Sequence, residues 1–166
     1  MFSIRSTFIL ALGVAGAVLT TSGAFSQSGQ TARLFCQTVG GGAPETLGDR
    51  EGHSVSVGEV ACRVEGGPQD GGVMTGTTIY EWDKTNGVLL SGVGVTRKPG
   101  ALVTHQHSEG KISLIIADGK VAGSTFSGRG RITMATGAAS LLQGKTYSYA
   151  GKTTGPGQLT VDVKYD

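Results

Sequence analysis

From residue 31 onward the chain is a succession of short runs in which apolar and polar side chains alternate at period two, and no stretch keeps a helical period. The runs cover residues 33–39, 54–64, 73–82 and 88–95, marked off by Gly, Pro, Asn or Asp, with further candidates at 101–107, 111–117, 120–127, 130–134, 146–151 and 158–165. Successive side chains of a strand point to opposite faces, so each run is a ribbon with one apolar face to bury. Strands with no helices to cover them must close on themselves or stack in two layers, because an open sheet leaves an edge of unpaired N–H and C=O groups. The expectation is all-β: a single antiparallel β-barrel of about eight strands.

The turns agree with antiparallel pairing. Asn86-Gly87 and Asp118-Gly119 are the dipeptides preferred by two-residue hairpins, whose central residues both take positive φ. Further breaks fall at Gly66-Gly67-Pro68, Pro99-Gly100 and Gly155-Pro156-Gly157. The 29 glycines follow no collagen-like period, and their dispersal suits tight turns and kinked strands.

The first residues differ from everything after them. Arg5 is followed by an apolar stretch over residues 8–18, shorter than the roughly 20 residues a membrane-spanning helix requires. Ser22 and Ala24 then occupy the minus-three and minus-one places of a cut before Phe25; a cut after Ser26 is the alternative. Residues 1–24 therefore read as a cleaved signal peptide, 25–30 as a lead-in, and 31–166 as the barrel domain, exported to a periplasm or secreted with no stable membrane anchor. In such an oxidising compartment Cys36 and Cys62 read as one disulfide, although two buried free thiols also fit the spacing. The formal charge of +2 includes Arg5, and Lys and Arg are nowhere clustered, which argues against a nucleic-acid partner.

Residues 117–152 resemble the closing strands of the allene oxide cyclase and dirigent-like barrels, in which a Gly-rich strand leads to a Thr-Gly step, a small-residue kink and a return strand. The matching positions are Thr136, Gly137, Ala138 and Gly144. The resemblance implies an eight-stranded antiparallel barrel with an apolar interior. It carries over no catalytic residue.

Candidate site residues follow from strand faces. His105 and His107 lie two apart and share a face, and the segment 99–110 resembles the first cupin motif in its Pro-Gly turn, HxH pair and downstream acid. It departs from that motif because one residue separates His107 from Glu109 and no histidine follows. No metal or other cofactor is expected; a metal, if held, would use His105, His107 and Glu109, with His53 or Asp118 as further donors. Tyr80 and Trp82 share one strand face, and Glu81 and Asp83 the other, so either the aromatics or the acids point inward. Arg129 and Arg131 form a like-charged pair, and Tyr147 and Tyr149 repeat the period-two pattern as core or pocket lining. The candidate ligand-binding set is Tyr80, Trp82, His105, His107, Arg129 and Tyr149.

No nucleophile elbow, P-loop, dinucleotide fingerprint or zinc-finger spacing occurs, which favours binding over catalysis. The leading expectation is an exported barrel that binds an apolar or amphipathic small molecule, or a protein partner, without catalysis. The alternatives are a barrel enzyme, cyclase/isomerase-like or cupin-like, and a self-associating envelope protein, in which the barrel would form a homo-oligomer.

Overall fold

The structure, a computed structural model, describes residues 30–166. The expected export signal lies outside the described residues. Nine strands form one antiparallel sheet: β1 (Thr31–Gly41), β2 (Glu45–Thr46), β3 (His53–Glu65), β4 (Val73–Asp83), β5 (Asn86–Lys98), β6 (Ala101–Ala117), β7 (Lys120–Ala135), β8 (Thr146–Gly155) and β9 (Gln158–Tyr165). Each long strand pairs with the next along the chain, and β9 returns to β1, so eight strands close an up-and-down barrel. The two-residue β2 continues the line of β1 along β3, opposite Val55 and Ser54. No helix among the described residues is long and apolar enough to cross a membrane.

The ten alternating runs become eight barrel strands because two breaks are not turns: one is a bulge and the other continues the strand. Residues 101–107 and 111–117 are one strand, β6, with Ser108 inserted between His107, opposite Gly130, and Glu109, opposite Arg129. Residues 120–127 and 130–134 likewise merge into β7, because the Gly128–Gly130 stretch that separates them stays in the ladder against β6 and β8. An extra residue in one strand re-aims the side chains beyond it while the ladder continues.

Turn chemistry is confirmed at one hairpin and shifted at the other. Asp118 and Gly119 have φ of 50° and 71° and join β6 to β7, as a type I′ turn requires. Asn86 and Gly87 are instead the first residues of β5, paired with Asp83 and Trp82, and the chain reverses through Lys84 and Thr85 with Lys84 at φ 55°. Space decides the register: Gly87 faces inward, where a Cβ would stand 3.1 Å from the Trp82 ring and 2.7 Å from Ile112. The segment after Thr136, read as a kink, forms a short 3-10 helix (Gly137–Leu142).

That helix and the loop between β3 and β4 close one end of the barrel. Ala139 and Leu142 are buried in the same apolar cluster as Val64, Met74, Val103, Ile132 and Tyr165. Gln69, in the loop, is buried and donates through Nε2 to the Tyr165 hydroxyl at 3.0 Å. At the other end the inward side chains Ser56, Ile112, Ser124, Phe126 and Leu159 are only half-buried, and the interior opens there. Cys36 and Cys62 are cross-strand partners in β1 and β3 and form the expected disulfide.

Two outcomes test this account. Reducing the disulfide, or replacing both cysteines by serine, is expected to cost about 3 kcal/mol by the chain-entropy estimate, read from urea midpoints with and without reductant. Gly128→Ala, whose Cβ would meet the Tyr149 hydroxyl at 2.5 Å, is expected to cost about 1–3 kcal/mol by overpacking. Gly42→Ala has nothing within 4 Å of its new methyl and should stay within roughly 0.5 kcal/mol of the parent in the same titration.

Candidate functional site

An eight-stranded barrel is just wide enough for its side chains to fill or to hold one small ligand, so the sizes of inward residues decide which occurs. Here large and minimal residues alternate around the wall. His105 lies across Gly94 on β5, His107 across Gly92 on β5, Tyr147 across Gly130 on β7, Tyr149 across both Gly110 on β6 and Gly128 on β7, Phe126 across Gly151 on β8, and Trp82 across Gly87 on β5. In each case a Cβ on the glycine would collide with the ring or come closer than ordinary contact. The rings are therefore held flat against the wall instead of meeting at the barrel axis, and an interior space of about 270 Å³ remains.

The wall of that space is aromatic and aliphatic with a few polar groups. Its lining includes Leu34, Met74, Tyr80, Trp82, His105, His107, Ile112, Phe126, Tyr147, Tyr149 and Tyr165. The rings fall into two groups: His105 and His107 are 5.4 Å apart between centroids and meet edge-on, with His107 and Tyr149 4.7 Å apart, while Tyr80 and Trp82 form a separate pair 6.0 Å apart. Edge-to-face and tilted approaches of this kind are the favoured ring geometries. The Tyr147 hydroxyl hydrogen-bonds Nδ1 of His107 at 3.2 Å, the Tyr149 hydroxyl donates to the Glu109 carbonyl at 3.4 Å, and Trp82 Nε1 donates to Ser56 Oγ at 2.8 Å.

Burial sets the protonation of these groups. Desolvation lowers His105 to about 4, with the neighbouring His107 adding to the shift, and desolvation lowers His107 to about 4 as well. Desolvation also raises all four lining tyrosines, Tyr165 to about 12. The histidines and tyrosines of the cavity are thus uncharged at neutral pH.

The structure brings together five of the six candidate ligand-binding residues. Tyr80, Trp82, His105, His107 and Tyr149 line one cavity. Arg129 is not brought to it: its side chain is 74% exposed on the outer surface, 3.6 Å from Glu109, which is 68% exposed. The Ser108 bulge explains the position of Glu109, because it changes the inward set of β6 from odd residues at His105 and His107 to even residues at Gly110 and Ile112. Glu109 therefore stands across the wall from the two histidines, and among the described residues no cluster of three His, Cys, Asp or Glu side chains has metal-site geometry. Asp118 lies at the tip of the β6–β7 hairpin. His53 is held at the rim between two acids, with Nδ1 2.5 Å from Asp49 and Nε2 2.7 Å from Glu81. The hydrogen bond to Asp49, then that to Glu81, raise its pKa.

Sequence reasoning did not single out Met74, Ile112, Phe126, Tyr165 or Gln69. The first four sit on alternating runs like any core residue, and nothing in Gly66-Gly67-Pro68-Gln69 signals that Gln69 turns inward. The repeated Gly-x-Gly spacing at Gly92/Gly94 and Gly128/Gly130 was the available signal, since both members of each pair face inward beneath a ring. No protein-family model and no curated protein matches the chain.

The opposed histidine shifts separate in pH. For His105 and His107 the folded value lies below the ordinary 6.5, so the unfolded chain binds protons first, and stability falls as pH drops from about 6.5 towards 4. For His53 the folded value is raised, so its contribution is fully present below 6.5 and is lost only as pH rises through the folded value. Unfolding free energies from urea titrations are expected to fall in the parent as pH is lowered from 6.5 to 4, by up to roughly 3 kcal/mol per buried histidine. They should fall less in a His105→Gln/His107→Gln variant; equal slopes would contradict the assigned burial.

Proposed function

We propose that this chain is an exported barrel that takes up one small apolar or amphipathic molecule through its half-open end and holds it without chemical change. The observation that carries this reading is the 270 Å³ interior space, walled by rings and aliphatic side chains and closed at the far end by the 3-10 helix and the β3–β4 loop. Ligand sites are characteristically concave and mainly apolar, with a few placed polar groups. An apolar cavity of about 150 Å³ accepts benzene, so this one suits a molecule of roughly ten non-hydrogen atoms. The disulfide supports the exported setting, since such bonds persist in oxidising compartments. The resemblance of residues 117–152 to the allene oxide cyclase and dirigent-like barrels accords with a barrel that has an apolar interior.

Trp82 is the chain's only tryptophan and lines the cavity, so its emission reports occupancy. Titration with toluene and with 1-octanol is expected to give a saturable change in Trp82 emission together with a raised melting temperature. The absence of both responses, with no small molecule retained in native mass spectra of protein taken from its own compartment, would defeat the reading.

A further inference from the structure

The cavity has hydrogen-bonding capacity that the fold itself does not use, and two neighbouring histidines carry much of it. His105 is 9% exposed and presses its ring over Gly94, yet neither ring nitrogen has a hydrogen-bond partner among the described residues. No sealed side-chain nitrogen or oxygen among them lacks a partner, so the His105 nitrogens keep some accessible surface, and the residue lines the cavity. His107 engages Tyr147 through Nδ1, which leaves Nε2 free on the same cavity. Three of the neighbouring polar groups are already committed: Tyr149 to the Glu109 carbonyl, Trp82 to Ser56, and Tyr165 to Gln69.

A neutral imidazole has one N–H and one lone pair whichever tautomer it adopts. His105 therefore offers both a donor and an acceptor, and His107 adds one more position within a ring-centroid distance of 5.4 Å. Resting on the binding role proposed above, we infer that the ligand is a neutral amphipath whose polar end is an amide or alcohol, seated between His105 and His107 with its apolar body towards Ile112 and Phe126. Such a group donates to one imidazole and accepts from the other. A hydrocarbon would leave a buried donor and acceptor unpaired, a carboxylate could accept but not donate, and an ammonium could donate but not accept. Neither charged end would meet an opposite charge among the inward histidines and tyrosines, which burial keeps neutral. The direction of seating follows from the barrel: Ile112 and Phe126 are half-buried at the open end, while the histidines lie deeper.

Matched probes on one ring separate these chemistries: benzamide, toluene, N,N-dimethylbenzamide, benzoate and benzylamine, each titrated against the intact protein by Trp82 emission and calorimetry. Benzamide is expected to bind at least tenfold more tightly than each of the others. His105→Phe keeps a ring over Gly94 and removes both nitrogens, so it should erase the benzamide preference while toluene still binds. If that variant does not fold, the imidazole ¹⁵N shifts of the parent decide: benzamide must move those of His105, and toluene must not. Toluene binding as tightly as benzamide, or a preference that survives His105→Phe, would overturn the amide-or-alcohol assignment and leave the binding role standing. Failure of every probe, 1-octanol included, would overturn both.

Discussion

Rings lying across glycines on neighbouring strands are the interaction on which the rest of this barrel depends. An eight-stranded wall encloses too little width for six large rings to point at its axis, and a Cβ beneath any of them would push the ring inward or the strand outward. Removing the Cβ at Gly87, Gly92, Gly94, Gly110, Gly128, Gly130 and Gly151 gives each ring a shallow seat in the opposite member of the pair. Glycine in a strand interior costs conformational entropy, and here the ring covers the bare backbone that the glycine would otherwise expose. The same arrangement leaves the centre unfilled, so a cavity and a well-packed wall arise from one sequence device.

The two ends of the barrel are unlike because the connections at them differ. At one end, the 66–72 loop and the 3-10 helix bring Gln69, Ala139 and Leu142 over the interior, and the apolar cluster gathers there. At the other, β6 and β7 run on past their neighbours to the tight turn at Asp118-Gly119. The disulfide joins β1 to β3, across the ring of strands from β6, which carries His105 and His107.

Much of the architecture was legible because period-two alternation is a direct image of a strand with one buried face. The inward placement of Tyr80 with Trp82, and of Tyr147 with Tyr149, follows from that alternation once the apolar face is known to be the inner one. What could not be read was phase. One inserted residue, Ser108, reverses which side of β6 faces in, so Glu109 parts from His105 and His107 although its spacing on an unbroken strand would place it with them. Arg129, next to the inward Gly128 and Gly130, stands outside for the ordinary reason that alternate residues do, and the face it shares with Arg131, a candidate for an anionic group, is the outer one. The Asn86-Gly87 dipeptide was misleading for a packing reason: its glycine is needed beneath Trp82, so the reversal moves two residues earlier.

The meander has a further property that concerns connectivity rather than contact. Among the eight long strands every pairing but one joins strands consecutive along the chain; the exception is β1 with β9, where Thr31 stands opposite Lys164 and Arg33 forms an exposed ion pair with Asp162. The strand where the barrel domain starts is thus already beside the strand that completes it, and the ring of strands has no privileged first member. A short link from residue 165 to residue 31, with the backbone opened at Asp118-Gly119, would preserve every strand pair and the position of every ring on its glycine. Cyclic order, not linear order, is what this fold specifies.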